Sequence, residues 1–368
     1  MSLERIISGL FYKKESLFLK LILFPFLLLS YVYFLVVITK NLFYRYGIFK
    51  KQAVGAFVIS VGNLTVGGTA KTPAVIAVGR FIEDSGLKAG VVTKGYRRLH
   101  SEDIFMDKNS DGEFNPQLCG DEPIVILRNL TRTPVYTGKN KTSLAISLFK
   151  RFNPDVIIID DGFSHLKLHR DLNILMVDGR RMFGNSRLLP RGPLREPLSS
   201  FSRANAVIIK NDADTTTNKE RIKHLAAGIP LFTMEIKPSS IRKIADDSVL
   251  ENSGTENFVA FCGIADPDSF RRTLLAAGIS PLEFIEYDDH AEYNEKIIMK
   301  MDGLAKNNGA KYAICSEKDA VKIKRYLHAG GKGIIYCYLK IEPVIEKKFF
   351  EFLNKAINNQ KLLKKGNI

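Results

Sequence analysis

The chain has no tryptophan, and its four cysteines, Cys119, Cys262, Cys315 and Cys337, are scattered without a CxxC pair. That scarcity excludes a zinc ribbon, a redox dithiol and a disulfide framework, and predicts buried thiols in a reducing compartment. Glycine and proline are not in excess. With 27 Gly, 14 Pro, 45% hydrophobic and 25% charged residues, collagen-like, low-complexity and wholly disordered chains are excluded. Acidic residues are the minority, 39 against 54 Lys and Arg, and the resulting +15 favours anionic partners: nucleic acid, membrane headgroups or phosphorylated substrates. At roughly 150 residues per domain, 368 residues suggest two or three domains, enough to bury a core without disulfides or structural metals.

The basic excess is partly local. Residues 1–51 hold Arg5, Lys13, Lys14, Lys20, Lys40, Arg45, Lys50 and Lys51 against Glu4 and Glu15, flanking one apolar segment. This points to an anionic membrane surface and away from nucleic acid. No residue from Leu21 to Thr39 is charged, and a helix of that length nearly matches a hydrocarbon core of about 30 Å. Ser30, Tyr31 and Tyr33 would need partners in lipid if the helix spans, but not if it lies in the interface. Four basic residues precede the segment and four follow, so the positive-inside rule does not choose. Membrane association is therefore expected, with spanning and interfacial placements both open. A secretory signal fits poorly because no small-residue cleavage site follows, and a buried core helix fits poorly because the run lacks a polar face. The tail from Val344 to Lys365 reads as a helix with six Lys against two Glu. It either adds electrostatic attachment or is simply solvated.

Short β-branched runs recur at Ala56–Val61, Ala89–Thr93, Val156–Asp160, Asn173–Val177, Ala206–Ile209, Phe258–Cys262, Tyr312–Cys315 and Gly333–Tyr338, separated by helix-length amphipathic stretches. Such alternation predicts parallel sheets covered by helices. Between Lys210 and Thr255 the pattern loosens, and residues 100–115 are charge-rich. The predicted organisation is an N-terminal helical segment over 1–50, a core domain over 51–240, and a smaller α/β domain over 241–368 ending in the basic helix.

The first strand runs into Gly62-Asn63-Leu64-Thr65-Val66-Gly67-Gly68-Thr69-Ala70-Lys71-Thr72-Pro73 and then a helical pattern. Strand, glycine-rich turn, Lys-Thr and helix form the context of a phosphate-binding loop, in which backbone N–H groups cradle phosphates, the lysine reaches the outer ones and the threonine meets Mg²⁺. Thr65 and Ala70 stand where the strict GxxxxGK[ST] pattern has glycine, so a helix-capping turn is the plain alternative. Asp160-Asp161 closes a buried-strand run, a placement suited to a magnesium-binding carboxylate or to a turn cap. His165, just beyond, is either structural or a neighbour of the metal site. Asp121-Glu122, in Gly120-Asp121-Glu122-Pro123, reads as a candidate base or metal ligand and equally as a helix N-cap.

Taken in order, these motifs resemble one family, the tetraacyldisaccharide 4′-kinases of lipid A assembly. The resemblance also covers the apolar N-terminal helix, Asp160-Asp161-Gly162-Phe163-Ser164-His165, Leu188-Leu189-Pro190-Arg191-Gly192-Pro193-Leu194-Arg195-Glu196-Pro197, Asp289-His290 and Ser316-Glu317-Lys318-Asp319-Ala320. The family pattern usually has Gly at 70, Gln at 164, Gly at 186 and Ala at 191, so Ala70, Ser164, Ser186 and Arg191 are departures. Ala70 is the consequential one, because a methyl there would crowd the phosphates.

The resemblance implies a P-loop NTPase-like α/β fold with a smaller second α/β domain and a membrane-associated N-terminal helix. It implies transfer of the ATP γ-phosphoryl group to the 4′-hydroxyl of a tetraacylated glucosamine disaccharide 1-phosphate, at the cytoplasmic face of the inner membrane. Lys71 and Thr72 would hold phosphates and Mg²⁺, Asp160 and Asp161 would position the metal, and Glu122 would help bind it. Asp121 would take the acceptor's proton, paired with His290 from the second domain. Arg191 and Arg195 would meet anions of the acceptor or nucleotide, or form surface salt bridges. The rival is a membrane-attached ATPase or switch, which lacks an LSGGQ-like signature and, at Asn140-Lys141-Thr142-Ser143, the Asp of NKxD.

Overall fold

The computed structural model describes residues 11–12, 17–95, 98, 102–110, 114–211, 216–251, 256–327 and 333–365. Arg5, Lys13 and Lys14 of the basic flank lie outside them. The strands are β1 (Phe57–Gly62), β2 (Ala89–Thr93), β3 (Ile104–Met106), β4 (Val135–Thr137), β5 (Val156–Asp160), β6 (Leu172–Asp178), β7 (Ala206–Lys210) and β8 (Leu231–Lys243). They continue with β9 (Phe258–Cys262), β10 (Glu283–Glu286), β11 (Tyr312–Ser316) and β12 (Ile335–Ile345). All join one sheet in the order β10-β9-β11-β12-β8-β7-β6-β1-β5-β2-β4-β3. Pairing is parallel except at β3/β4 and β8/β12.

Parallel strands are covered on both faces, so their side chains are mostly apolar, and β1, β2, β5, β7, β9 and β11 are buried along their whole length. The helix Lys71–Asp84 buries Val75, Val78 and Ile82, each contributing about 1.5–3 kcal/mol. Four strands, β3, β4, β8 and β10, fall outside the expected set. Three are short, and β8 alternates buried Phe232 and Met234 with exposed or half-exposed neighbours, so no apolar run marks it. Pro238 sits in β8 at a bulge opposite Lys340/Ile341, where its missing N–H is tolerated.

Residue 240 therefore lies inside β8, and β8 with antiparallel β12 forms a ladder between the two halves of the sheet. The helix Lys347–Lys365, which the sequence groups with the second domain, packs back on the first core. Phe349, Leu353 and Ile357 form its buried stripe beside Phe232 and Met234, and Phe350 stacks on Phe81 with ring centroids 5.0 Å apart.

The apolar helix extends over Phe24–Arg45, long and apolar enough to cross a membrane. Three of its polar groups bond to the protein, while Tyr31 is exposed. Ser30 Oγ donates to Leu188 O at 2.8 Å, Tyr33 OH to Arg195 O at 3.0 Å, and Asn41 Nδ2 to Glu196 Oε2 at 3.0 Å. Leu28, Leu29, Val32, Leu35 and Val36 are exposed on the rest of the helix.

Candidate active site

β1 lies mid-sheet between β5 and β6, and its C-terminal end delivers the glycine-rich loop. A Cβ on Gly62 would approach Phe163 N to 2.6 Å, so the close passage of two backbones demands glycine. The loop is tethered to the 188–196 segment, with Val66 N donating to Pro193 O at 2.8 Å and Arg195 N to Leu64 O at 2.7 Å. Ala70, the residue before the helix, has φ 57°. A side chain there occupies a left-handed position that suits glycine, a backbone cost separate from any crowding of the phosphates. Ser186, the other site where the family pattern has glycine, is also left-handed at φ 59°.

Lys71 Nζ lies 3.2 Å from Asn63 Oδ1 and 3.4 Å from Asp161 Oδ1. Arg195 grips Asp161 with two parallel bonds of 2.9 and 2.8 Å and also donates to Asn63. Lys141 Nζ donates to Asp161 O at 2.7 Å. Burial would raise the Asp161 carboxyl, but Lys71 and Arg195 outweigh it and hold the group well below the usual carboxylate range.

Asp160 is treated differently. Thr93 Oγ1 donates to its Oδ2 at 3.0 Å, while buried Oδ1 has no hydrogen-bond partner. Burial, reinforced by Glu122 and Asp161 against the pull of Lys141 and Lys71, pushes it up to about 6. An orphaned buried carboxylate oxygen fits a site built for a cation. Among the described residues no three acidic, histidine or cysteine side chains form an all-protein metal cage. Mg²⁺ needs none, because it uses one or two carboxylates and completes its shell with water and substrate phosphates. His165 Nε2 lies 2.8 Å from Thr142 Oγ1, and burial with nearby Lys141 and Arg170 pushes it down to about 4.

Asp121 and Glu122 open the helix Asp121–Asn129, after Gly120 at φ 90°. From the other half of the sheet, His290 Nδ1 comes 3.2 Å from Asp121 Oδ2. His290 sits at φ 57°, its N–H bonded to Gly263 O at 3.1 Å. Burial opposes the charge on each partner. Their mutual bond nevertheless lowers Asp121 and raises His290, with Lys318 and Lys322 further lowering Asp121. Lys318 pairs with Glu122, and Lys322 Nζ lies 3.8 Å from Asp121 Oδ2. Neither lysine had a role in the sequence reading, although Lys318 lies inside the Ser316–Ala320 motif.

Most expected residues thus converge, and one does not. Arg195 joins the carboxylates, whereas Arg191 sits beneath the apolar helix, its N–H donating to Ser30 Oγ at 3.0 Å and its carbonyl accepting from Asn185.

A phosphate-type loop on the central strand, with an aspartate–histidine pair made by two halves of the chain, places this protein among the P-loop kinases. Residues 19–358 match the model of the tetraacyldisaccharide-1-P 4′-kinases, and the chain belongs to that family. It is 34% identical over 350 residues to a tetraacyldisaccharide 4′-kinase of Syntrophus aciditrophicus, covering 89% of this chain and 92% of the relative. It is 30% identical over 368 residues to that of Wigglesworthia glossinidia brevipalpis, covering 99% and 93%. The structure of LpxK from Aquifex aeolicus in complex with ATP is similar with a TM-score of 0.71 at 26% identity, covering 92% of this chain and 99% of that one.

Proposed function

We propose that the protein transfers the γ-phosphoryl group of ATP to the 4′-hydroxyl of a tetraacylated glucosamine disaccharide 1-phosphate, a lipid A precursor, at the cytoplasmic face of the inner membrane. The observation that carries this reading is the Asp121–His290 contact of 3.2 Å. It sets an oriented, ionised carboxylate beside a phosphate loop, which an acceptor hydroxyl needs and a simple nucleotide switch does not.

Residues 62–72 cradle the phosphates, and Lys71, released from Asn63 and Asp161, meets the outer ones. Arg195 holds Asp161 in place. Thr72, Glu122, Asp160 and Asp161 would hold Mg²⁺, which supplies charge neutralisation on the β- and γ-phosphates when bound. Asp121 accepts the hydroxyl proton as the new O–P bond forms, and His290 and Lys322 keep its carboxylate ionised until then. Two lobes divide the labour, nucleotide on 51–240 and the His290 side beyond it, and the Asp121–His290 contact joins them. The exposed apolar face of the helix Phe24–Arg45 and the basic residues around it bring the enzyme to an anionic membrane carrying its lipid.

Radiolabelled ATP with and without the disaccharide tests the proposal. Label should pass to the lipid, and Lys71→Ala should abolish transfer in a folded protein. Release of phosphate to water at the same rate without acceptor would sink it.

A further inference from the structure

Two ammonium groups lie beside the Asp121-Glu122 pair, and one of them, Lys318, has no part in the chemistry so far. Both come from the helix Glu317–Ile323, whose first turn is fixed by Asp319, a fully buried carboxylate. Asp319 takes bonds from Ser316 Oγ at 2.6 Å, Tyr293 OH at 3.0 Å and Gly263 N at 3.1 Å. Lys322 pairs with the same carboxylate at 3.1 Å, so it is anchored within its own half. Glu317 accepts from Asn129 Nδ2 at 2.7 Å, locking the helix against the helix Asp121–Asn129. Lys318 points from this rigid platform to Glu122 in the opposite half.

Lys318 thus reaches from the second half of the chain to a carboxylate of the nucleotide half, and Asp121 is adjacent to that carboxylate. A phosphoryl group passing from the Lys71 side to a hydroxyl at Asp121 moves through the reach of the Lys318 ammonium, which rides on a flexible four-carbon stem.

We infer that Lys318 is a catalytic residue delivered by the second half of the chain: parked on Glu122 without nucleotide, it moves onto the γ-phosphoryl oxygens during transfer. This rests on the phosphotransfer reading above. In that step the 4′-oxygen bonds to the γ-phosphorus and its proton passes to Asp121. The bond from the γ-phosphorus to the bridging oxygen breaks, its electron pair leaving with ADP. Lys318 neutralises charge on the equatorial oxygens and exchanges no proton, the part an arginine finger plays elsewhere.

The competing reading makes Lys318 a latch between the halves, and a fluoroaluminate mimic of the transferring phosphoryl separates the two. Lys318→Met and Lys318→Arg are compared with wild type for kcat, thermal melting, and calorimetric affinity for ADP with Mg²⁺ and the disaccharide, with and without fluoroaluminate. Lys318→Met should lower kcat about 10²-fold or more, keep ADP affinity within about twofold, and lose the tightening that fluoroaluminate produces. Lys318→Arg should keep part of both. Intact tightening in Lys318→Met would overturn the inference, as would equal losses in the two variants. Wild-type enzyme without disaccharide-dependent transfer would instead overturn the underlying phosphotransfer reading.

Discussion

Asp121 and His290 should behave as one unit. His290 Nδ1 is 3.2 Å from Asp121 Oδ2 in a mostly buried setting. A hydrogen bond to a charged group is worth about 1.5–3 kcal/mol, and each 1.36 kcal/mol is about tenfold in rate. His290→Ala should therefore lower kcat about 10- to 10²-fold, the loss being limited because Lys322 still faces the carboxylate at 3.8 Å. Asp121→Ala removes the proton acceptor itself, for about 10²–10⁴-fold. The double variant should be little slower than Asp121→Ala, because His290 then has nothing to orient. Steady-state kinetics on the dispersed disaccharide gives the four rates, and calorimetry with ADP checks that nucleotide binding survives. Multiplying losses would show that His290 acts independently, and a silent His290→Ala would remove it from the mechanism. The pair also shapes stability. His290, raised, contributes fully below about pH 6.5 and loses its contribution as pH climbs through its higher folded value. Asp121, lowered, contributes above about pH 3.8 and loses it as pH falls through its depressed folded value.

Asp160→Asn should stabilise the ligand-free protein while destroying Mg²⁺-dependent ADP binding. The carboxyl titrates near 6 in the fold against 3.8 outside it, a cost on the order of 3 kcal/mol once ionised. The melting advantage should be absent below about pH 4, grow to about pH 6 and then stay level; a lower melting temperature at pH 7.5 would refute it. Ala70→Gly should raise the urea midpoint, because relief of a left-handed alanine, about 1–2 kcal/mol, exceeds the extra unfolded-state entropy of glycine, about 0.4–1 kcal/mol. A lower midpoint would mean that the loop has adapted to alanine. Deleting residues 1–40 should release the protein from anionic vesicles and also slow turnover in detergent, since Arg195 O loses Tyr33 and buried Glu196 loses Lys40. Unchanged co-sedimentation would move the anchor elsewhere.

The nucleotide half was legible because parallel strands covered on both faces are mostly apolar, and β1, β5 and β7 advertise themselves as β-branched runs. β8 is half-exposed and carries a bulge at Pro238, so its alternation reads as loosened sequence. Asp160-Asp161 was legible for a related reason, since carboxylates at the end of a buried strand stand out. Lys318 and Lys322 did not stand out, because lysines four apart on a short helix look like any solvated face. Only the packing of that helix on Asp121–Asn129 turns them toward the carboxylates. Ser30 and Tyr33 looked like a difficulty for an apolar helix, and they are its seat on the loop that carries Arg195.

The chain leaves the first core along β8 and returns beside it, antiparallel, along β12. Everything between is topologically an insert spliced into a long hairpin, and the helix Lys347–Lys365 then closes the core that the insert interrupted. An insert entering and leaving on neighbouring strands can be exchanged, lengthened or remodelled without rethreading its host. His290 and both lysines that face the acids ride on it. The His290 side of the proposed site is thus portable in this fold in a way that the nucleotide loop, woven through the middle of the sheet, is not.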